Sequence, residues 1–372
     1  MSPRAARGTP AWPAPAPTLA ALLVAHFEAH QRDLPWRRTR DPFAIWVSEV
    51  MLQQTQVDVV LRYYARFLAR FPDATTLANA SQQDVLSAWS GLGYYRRARL
   101  MHRAAAVIRD EHGGEFPRDA AAIRRLPGVG AYTQGALTAI ALHQPAAAVD
   151  GNVNRVLSRL LGQRGDPTAK ANAAVISAAA LELSTHAHPS SVVQGLMELG
   201  ATVCLPSGWK CGACPWQQVC RAHAANAVDE IPPPKVRAAR KTIHVGGALV
   251  LRKDQVAMVP APQDGLLAGL WQLPATAPLT LPRSAGGTAQ QTRVMTALVG
   301  AWPRLKPDGL LCITRRTLTH RELVVWVFET SSRAALPPGG RWVPLESLRE
   351  APLSAAWRAA LKDALAAKAK RA

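Results

Sequence analysis

From residue 18 to about residue 225, apolar residues, chiefly Ala, Leu and Val, recur at intervals of three and four between short Pro or Gly breaks. That is the spacing of one buried face on each of a series of helices, and no stretch of it reads as a strand. Ahead of this region residues 2–17 are Ala/Pro-rich, so residues 1–17 are expected to form a disordered tail. After it, Ile231-Pro232-Pro233-Pro234-Lys235 cannot continue a helix, because proline lacks the N–H and clashes with the preceding turn; it predicts a linker over residues 226–240. The period then changes. Residues 243–252, 255–259 and 322–329 are short, β-branched and bounded by turns, and residues 355–366 return to a helical pattern. The chain, 372 residues long, is therefore expected to hold a mostly α domain over residues 18–225 and a mixed α/β domain over residues 241–372.

Charge adds a partner to this picture. The formal net charge is +19, an excess that suits a protein held against phosphates, although an Arg-rich composition alone would also produce it. No apolar run approaches the roughly 18 residues a bilayer span needs. The longest candidate, residues 20–24, is followed by His26 and Glu28. A cytoplasmic protein without a membrane partner is expected.

Four of the five cysteines, Cys204, Cys211, Cys214 and Cys220, follow the spacing C-x6-C-x2-C-x5-C, with Cys312 outside it. Thiolates this close in sequence can enclose a structural zinc or an iron–sulfur cluster. Zinc sites usually pair two C-x2-C knuckles, and here there is one, so the spacing favours the cluster. A disulfide pair is the third reading, disfavoured because no basic-then-apolar leader opens the chain.

Three further features carry chemistry. Glu49 lies in an apolar helical stretch, where its same-face neighbours are Ile45, Trp46 and Leu52; burial raises a carboxyl pKa, which suits a general acid. Asp150 precedes Gly151-Asn152-Val153-Asn154-Arg155, so it reads as an N-cap, and a carboxylate fixed by helix N–H groups stays ionised. Leu126-Pro127-Gly128-Val129-Gly130 lies between two helical stretches, and its glycines allow a tight turn whose N–H groups face outward, a phosphate site.

The hairpin, the aspartate and the cysteines, in this order and spacing, resemble the helix-hairpin-helix DNA glycosylase superfamily, whose members include endonuclease III. Within it, Leu34-Pro35-Trp36-Arg37, Trp46-Val47-Ser48-Glu49-Val50-Met51-Leu52-Gln53-Gln54-Thr55, Gly91-Leu92-Gly93-Tyr94-Tyr95 and Val149-Asp150-Gly151-Asn152-Val153 resemble the signatures of the adenine DNA glycosylases, the MutY family. The resemblance implies removal of adenine mispaired with 8-oxoguanine or guanine in duplex DNA, by a monomeric enzyme carrying a 4Fe-4S cluster on the four cysteines. It assigns Glu49 the protonation of the departing adenine and Asp150 the stabilisation of the sugar cation, the two-carboxylate logic of glycoside cleavage. Tyr132 and Asn152 would support that site. Strand-cutting relatives carry a lysine where this chain has Tyr132, so simple hydrolysis is implied rather than a Schiff base.

By the same resemblance Gln54 and Tyr94 are wedges that fill the stack behind the extruded base. Trp36, Arg37, Leu52 and Gln194 would line the adenine pocket. Gly128 and Gly130 would seat the DNA backbone, and Lys210, in the loop closed by Cys204 and Cys211, would meet phosphate. Leu266-Leu267-Ala268-Gly269-Leu270-Trp271-Gln272-Leu273-Pro274 resembles the family's second, Nudix-like domain, and residues 275–300 contain no Asp or Glu to hold magnesium. Leu318, Thr319 and His320 stand where the family has a Phe-Ser-His loop that contacts 8-oxoguanine. The rival readings are an endonuclease III-like glycosylase that also cuts the strand, a non-catalytic cluster-containing DNA-binding protein, and a nucleotide pyrophosphohydrolase.

Overall fold

The structure, a computed structural model, describes residues 10–234, 240–262, 267–282, 286–318, 321–330, 336–349 and 351–371. Its contacts divide the chain into two units. One joins Met1–Asn79 to Leu100–Val236, and the other joins Ala80–Arg99 to Arg237–Ala372.

Every regular element described before residue 240 is helical, as the three-and-four spacing predicts. The helices are α1 (Ala16–His30), α2 (Pro42–Leu52), α3 (Val57–Arg70), α4 (Ala74–Asn79), α5 (Gln82–Ala88), α6 (Arg96–Glu111), α7 (Ala120–Arg125), α8 (Ala131–Ile140), α9 (Gly151–Leu161), α10 (Lys170–His186), α11 (Pro189–Thr202) and α12 (Arg221–Ala224). Several start on a side-chain cap that satisfies otherwise orphaned N–H groups, among them Asp41 on α2, Ser81 on α5 and Asp119 on α7. Leu19 and Leu23 of α1, Val156 and Leu160 of α9, Leu183 of α10 and Leu196 of α11 close one core of the first unit, together with Trp216. Trp216 buries its ring there and donates its Nε1–H to the Leu19 carbonyl at 3.0 Å.

Two boundary expectations are corrected. Of the expected tail, residues 1–9 lie outside the described residues, but the rest is built in: Trp12 donates to Glu182 at 2.9 Å, and Ala16 begins α1 and is buried. The expected linker also starts too early. Ala227, Val228 and Ile231 are buried against one another and against Cys211 and Cys220. Both segments hold too few apolar residues to show a period, and their burial is decided by distant partners.

In the second unit β1 (Lys241–Leu249) runs parallel to β6 (Arg321–Thr330), which pairs antiparallel with β5 (Pro307–Thr317). A second sheet joins β2 (Leu251–Arg252), β3 (Gln255–Pro260), β4 (Trp271–Gln272) and β7 (Arg341–Pro344) around β3. The run Leu323–Phe328 is apolar throughout because both of its faces are covered. Val325 and Val327 pack in the cluster that holds Trp357 and Leu361 of α14 (Ala355–Ala369), while Val324, Trp326 and Phe328 pack with Val294 and Leu298 of α13 (Gly287–Ala301). Helix α13 and strands β5 and β7 escaped the sequence pattern. Only Val294 and Leu298 of α13 are buried, too few to mark an amphipathic face. No helix among the described residues is long and apolar enough to cross a membrane.

Candidate active site

Helix α2 is apolar on all sides, and the whole of Phe43 to Met51 is buried, so Glu49 enters the interior with its helix. Only 5 % of Glu49 remains exposed. The hydroxyl of Tyr132 donates to its Oε2 at 2.9 Å. Burial pushes the Glu49 carboxyl up to about 7; the Tyr132 hydrogen bond and the Arg37 charge oppose that rise, and the Asp150 charge reinforces it. Tyr132 is the donor in this pair, since burial and the two nearby carboxylates hold its own pKa well above the usual phenol range.

Tyr132 reaches Glu49 from the first turn of α8, and the hairpin before it sets that turn. Gly128 has φ +82°, and a Cβ there would stand 2.7 Å from the Leu100 Cβ, so both conformation and space call for glycine. Gly130 takes the N-cap position of α8 and offers no side-chain cap to the first N–H groups. These N–H groups keep their capacity to meet an anion.

Asp150 is the N-cap of α9, its Oδ1 accepting from Val153 N at 2.7 Å. Its Oδ2 accepts from Asn152 Nδ2 at 3.1 Å, and Asn152 Oδ1 accepts from Arg155 Nη2 at 2.9 Å. Arg155 continues to the carbonyls of Gly200 and Cys204, both at 2.8 Å. One turn on, Arg159 donates to the Leu205 carbonyl at 2.7 Å, to the Ile231 carbonyl at 2.8 Å and toward Cys204 Sγ at 3.4 Å. Helix α11 can lie this close because Gly200 has no side chain: a Cβ there would meet the Asn152 Cβ at 2.6 Å.

Glu49, Tyr132, Asp150 and Asn152 line one cavity of about 510 Å³ with Trp36, Arg37, Leu52, Gln54 and Gln194. The structure thus brings the expected acid, stabiliser, pocket residues and one wedge together. Gln54 has φ +59°, and Gln194 donates to Ser190 Oγ at 3.0 Å. Arg37 is engaged already, donating to the Arg32 carbonyl at 2.9 Å and to Glu198 Oε2 at 2.8 Å. Arg32 holds the same Glu198 with two side-chain bonds of 2.8 Å. Glu198 is a residue that sequence reasoning missed. Its one signal was position, four residues after Gln194 and hence on the same face of α11. Burial would raise its carboxyl, but the hydrogen bonds from Arg32 and Arg37 outweigh that and hold it at about 2.

The remaining expected residues lie elsewhere. Tyr94 is exposed and belongs to the second unit. Lys210 is an exposed residue whose backbone N–H donates to the Val203 carbonyl at 2.9 Å. Leu318 follows β5 and exchanges backbone hydrogen bonds with Arg321, while Thr319 and His320 lie outside the described residues. Cys312 is half-buried, its thiol 3.6 Å from the Ala360 carbonyl.

All four clustered cysteines line a second cavity, walled for the most part by apolar residues such as Val156, Leu160, Leu199 and Trp216, with Arg159, Gln217 and His223 also at its wall. None is in a disulfide. Burial pushes the Cys214 thiol up to about 12 and raises Cys211 and Cys220 as well. Among the described residues no group of three or more His, Cys, Asp or Glu side chains is gathered so that it could hold a single metal ion. Four soft thiol donors around an apolar hollow fit a thiolate-ligated centre, whose binding would displace the thiol protons.

The sequence profile of the HhH-GPD superfamily of base excision DNA repair proteins matches residues 47–177, the stretch holding Glu49, the hairpin and Asp150. An adenine DNA glycosylase of Rattus norvegicus is 33 % identical over 402 aligned positions, covering 90 % of this chain and 76 % of the rat protein. The chain belongs to the adenine DNA glycosylase family. The Homo sapiens adenine DNA glycosylase is 31 % identical over 90 % of this chain and 72 % of its own length. Among solved structures, a thermostable thymine-DNA glycosylase superposes with a TM-score of 0.51 at 26 % identity, covering 56 % of this chain and 97 % of that one. Family membership makes the protein a glycosylase of base-excision repair, so the cavity shared by Glu49 and Asp150 is the candidate for its chemistry.

The Glu198 triad yields a stability prediction. A carboxyl whose pKa falls from 4.5 to about 2 on folding stabilises the fold fully above pH 4.5 and loses that contribution as the pH drops toward 2. Glu198→Gln should cost about 3 kcal/mol near neutral pH, by stranding two guanidinium groups. The wild-type advantage in denaturant unfolding should shrink between pH 5 and pH 3. An equal gap at both pH values would show that the charge plays no part.

Proposed function

We propose that this adenine DNA glycosylase acts as a monomer on duplex DNA in the cytoplasm, hydrolysing the glycosidic bond of adenine mispaired with 8-oxoguanine or guanine. The observation that carries the reading is a buried Glu49, bonded to Tyr132, in the same cavity as a helix-capped Asp150. One carboxyl is kept protonated near neutrality and the other is fixed by N–H donors, the division an acid and an electrostatic stabiliser require.

The flipped adenine enters between Trp36, Leu52 and Gln194, with Arg37 held at the wall by Glu198. Glu49 gives its proton to the departing base as the bond to the sugar carbon breaks. Asp150, its oxygens oriented by Val153 N and Asn152, faces the cation that develops. Water then adds to the sugar carbon, and its released proton restores the acid. Tyr132 cannot form an imine with the sugar, so the backbone stays intact. Gly128, Gly130 and Lys210 meet phosphate, and Gln54 and Tyr94 fill the stack.

The second unit, Nudix-like by resemblance, recognises the base opposite adenine through Leu318, Thr319 and His320. Helix α13 contains no carboxylate, which argues against pyrophosphohydrolase chemistry with magnesium. Cys204, Cys211, Cys214 and Cys220 hold a 4Fe-4S cluster. The single C-x2-C knuckle supports this, as do four thiols that line one hollow. When bound, such a cluster cross-links the 204–220 loop and stiffens the segment that carries Lys210.

Four outcomes test the reading. On a duplex with adenine opposite 8-oxoguanine, Glu49→Gln should lose at least about a hundredfold in single-turnover excision while binding stays within a few fold. Wild-type excision should decline as pH rises through about 7, where Glu49 loses its proton; a rate flat from pH 6 to 9 would remove Glu49 as the acid. Strand breaks should appear only after hot alkali, and a borohydride-trapped adduct in high yield would favour the strand-cutting rival. Purified protein should contain iron and sulfide with a broad visible absorption, whereas colourless, active protein with stoichiometric zinc would identify the other metal.

A further inference from the structure

The turn from Ser90 to Tyr95 groups with residues from Arg237 onward, and one of its residues, Tyr94, is costly to hold. Gly91, Gly93 and Tyr94 have φ of +106°, +74° and +47°, and for tyrosine the left-handed region needs support from its surroundings. The Tyr94 ring is 41 % exposed, so burial of that ring is not the support. Part of it is local. Trp89 Nε1 donates to the Gly93 carbonyl at 3.1 Å, and Arg97 donates to the same carbonyl at 3.2 Å. The Arg97 guanidinium lies 5.3 Å from the Trp89 ring and 5.4 Å from the Tyr94 ring.

Further support comes from the far end of the chain. The buried Tyr95 hydroxyl accepts from Gly91 N at 3.3 Å and donates to the Leu353 carbonyl at 3.2 Å. Ser90 Oγ reaches the same carbonyl at 3.4 Å. Arg358, in the first turn of α14, donates through Nη2 to Ser90 Oγ at 3.1 Å and to the Ala351 carbonyl at 3.0 Å, and through Nη1 to the Leu348 carbonyl at 2.6 Å. One planar guanidinium thus fixes both the segment that presents the Leu353 carbonyl and the serine that opens the turn. The turn is pinned at its first and last residues, with Tyr94 projecting between the pins.

We infer that Arg358 is a positioning residue for Tyr94, acting through Ser90 and the Leu353 carbonyl, so that the second unit presets a wedge as well as reading the opposite base. This rests on the reading of Tyr94 as a side chain that fills the stack. The test is a double-mutant cycle in the full-length protein, read as single-turnover excision of adenine opposite 8-oxoguanine. Arg358→Ala and Ser90→Ala should each slow excision by about fivefold to tenfold. Added to Tyr94→Ala, either should change the rate by less than about twofold, because the group being positioned is gone. A purely structural role would not show that non-additivity. If Arg358→Ala does not fold, the Ser90→Ala cycle decides alone. Additive losses, or single variants at wild-type rate, overturn the inference while leaving the wedge intact. A Tyr94→Ala variant at wild-type rate removes the wedge itself, and the inference with it.

Discussion

Helix α9 is the member on which the site hangs. Its N-terminal N–H groups fix Asp150, and its next two turns send Arg155 and Arg159 to the carbonyls of Gly200, Cys204, Leu205 and Ile231. Left without a partner, each of these carbonyl groups would cost about 1–3 kcal/mol. The arginines satisfy them while bringing positive charge to the Cys204 sulfur. Asparagine at position 152 completes the series, since its amide donates to Asp150 and its carbonyl accepts from Arg155.

Two glutamates in one cavity show how the surroundings assign roles. Glu49 and Glu198 expose the same small fraction of their surface, yet the first titrates near 7 and the second near 2. Glu49 lies deeper in the protein, and the donors of the two differ as well. Glu49 receives a neutral hydroxyl, too weak to offset desolvation, and Glu198 receives two guanidinium groups. A proton is therefore available on α2 and a permanent anion on α11, within a single hollow.

Much of this was legible in the chain because it is local. An apolar helix around Glu49, a cap at Asp150 and glycines at the hairpin each announce themselves within a few residues, and the cavity holds the residues expected of it. What was not legible depends on long-range partners. Arg32 and Glu198 are far apart in sequence, and nothing near either one marks an ion pair. The burial of Trp12 and Ile231 is likewise decided by α10 and by the cysteine loop. The grouping of residues 80–99 with the second unit had no sequence signal either; its hydrogen bonds include ones to the Leu353 carbonyl, an acceptor that every residue type supplies.

The absence of a side chain at Gly200 has a mechanical consequence. Helices normally meet through interleaved side chains, a layer whose rotamers can absorb small shifts. At the crossing of α11 and α9 that layer is missing, and glycine backbone lies directly on Asn152. The junction behaves as a hard stop instead of a cushion. Cys204 follows the end of α11 by two residues, so the chain leading to the thiol hollow and the helix start that fixes Asp150 meet with no side-chain layer between them.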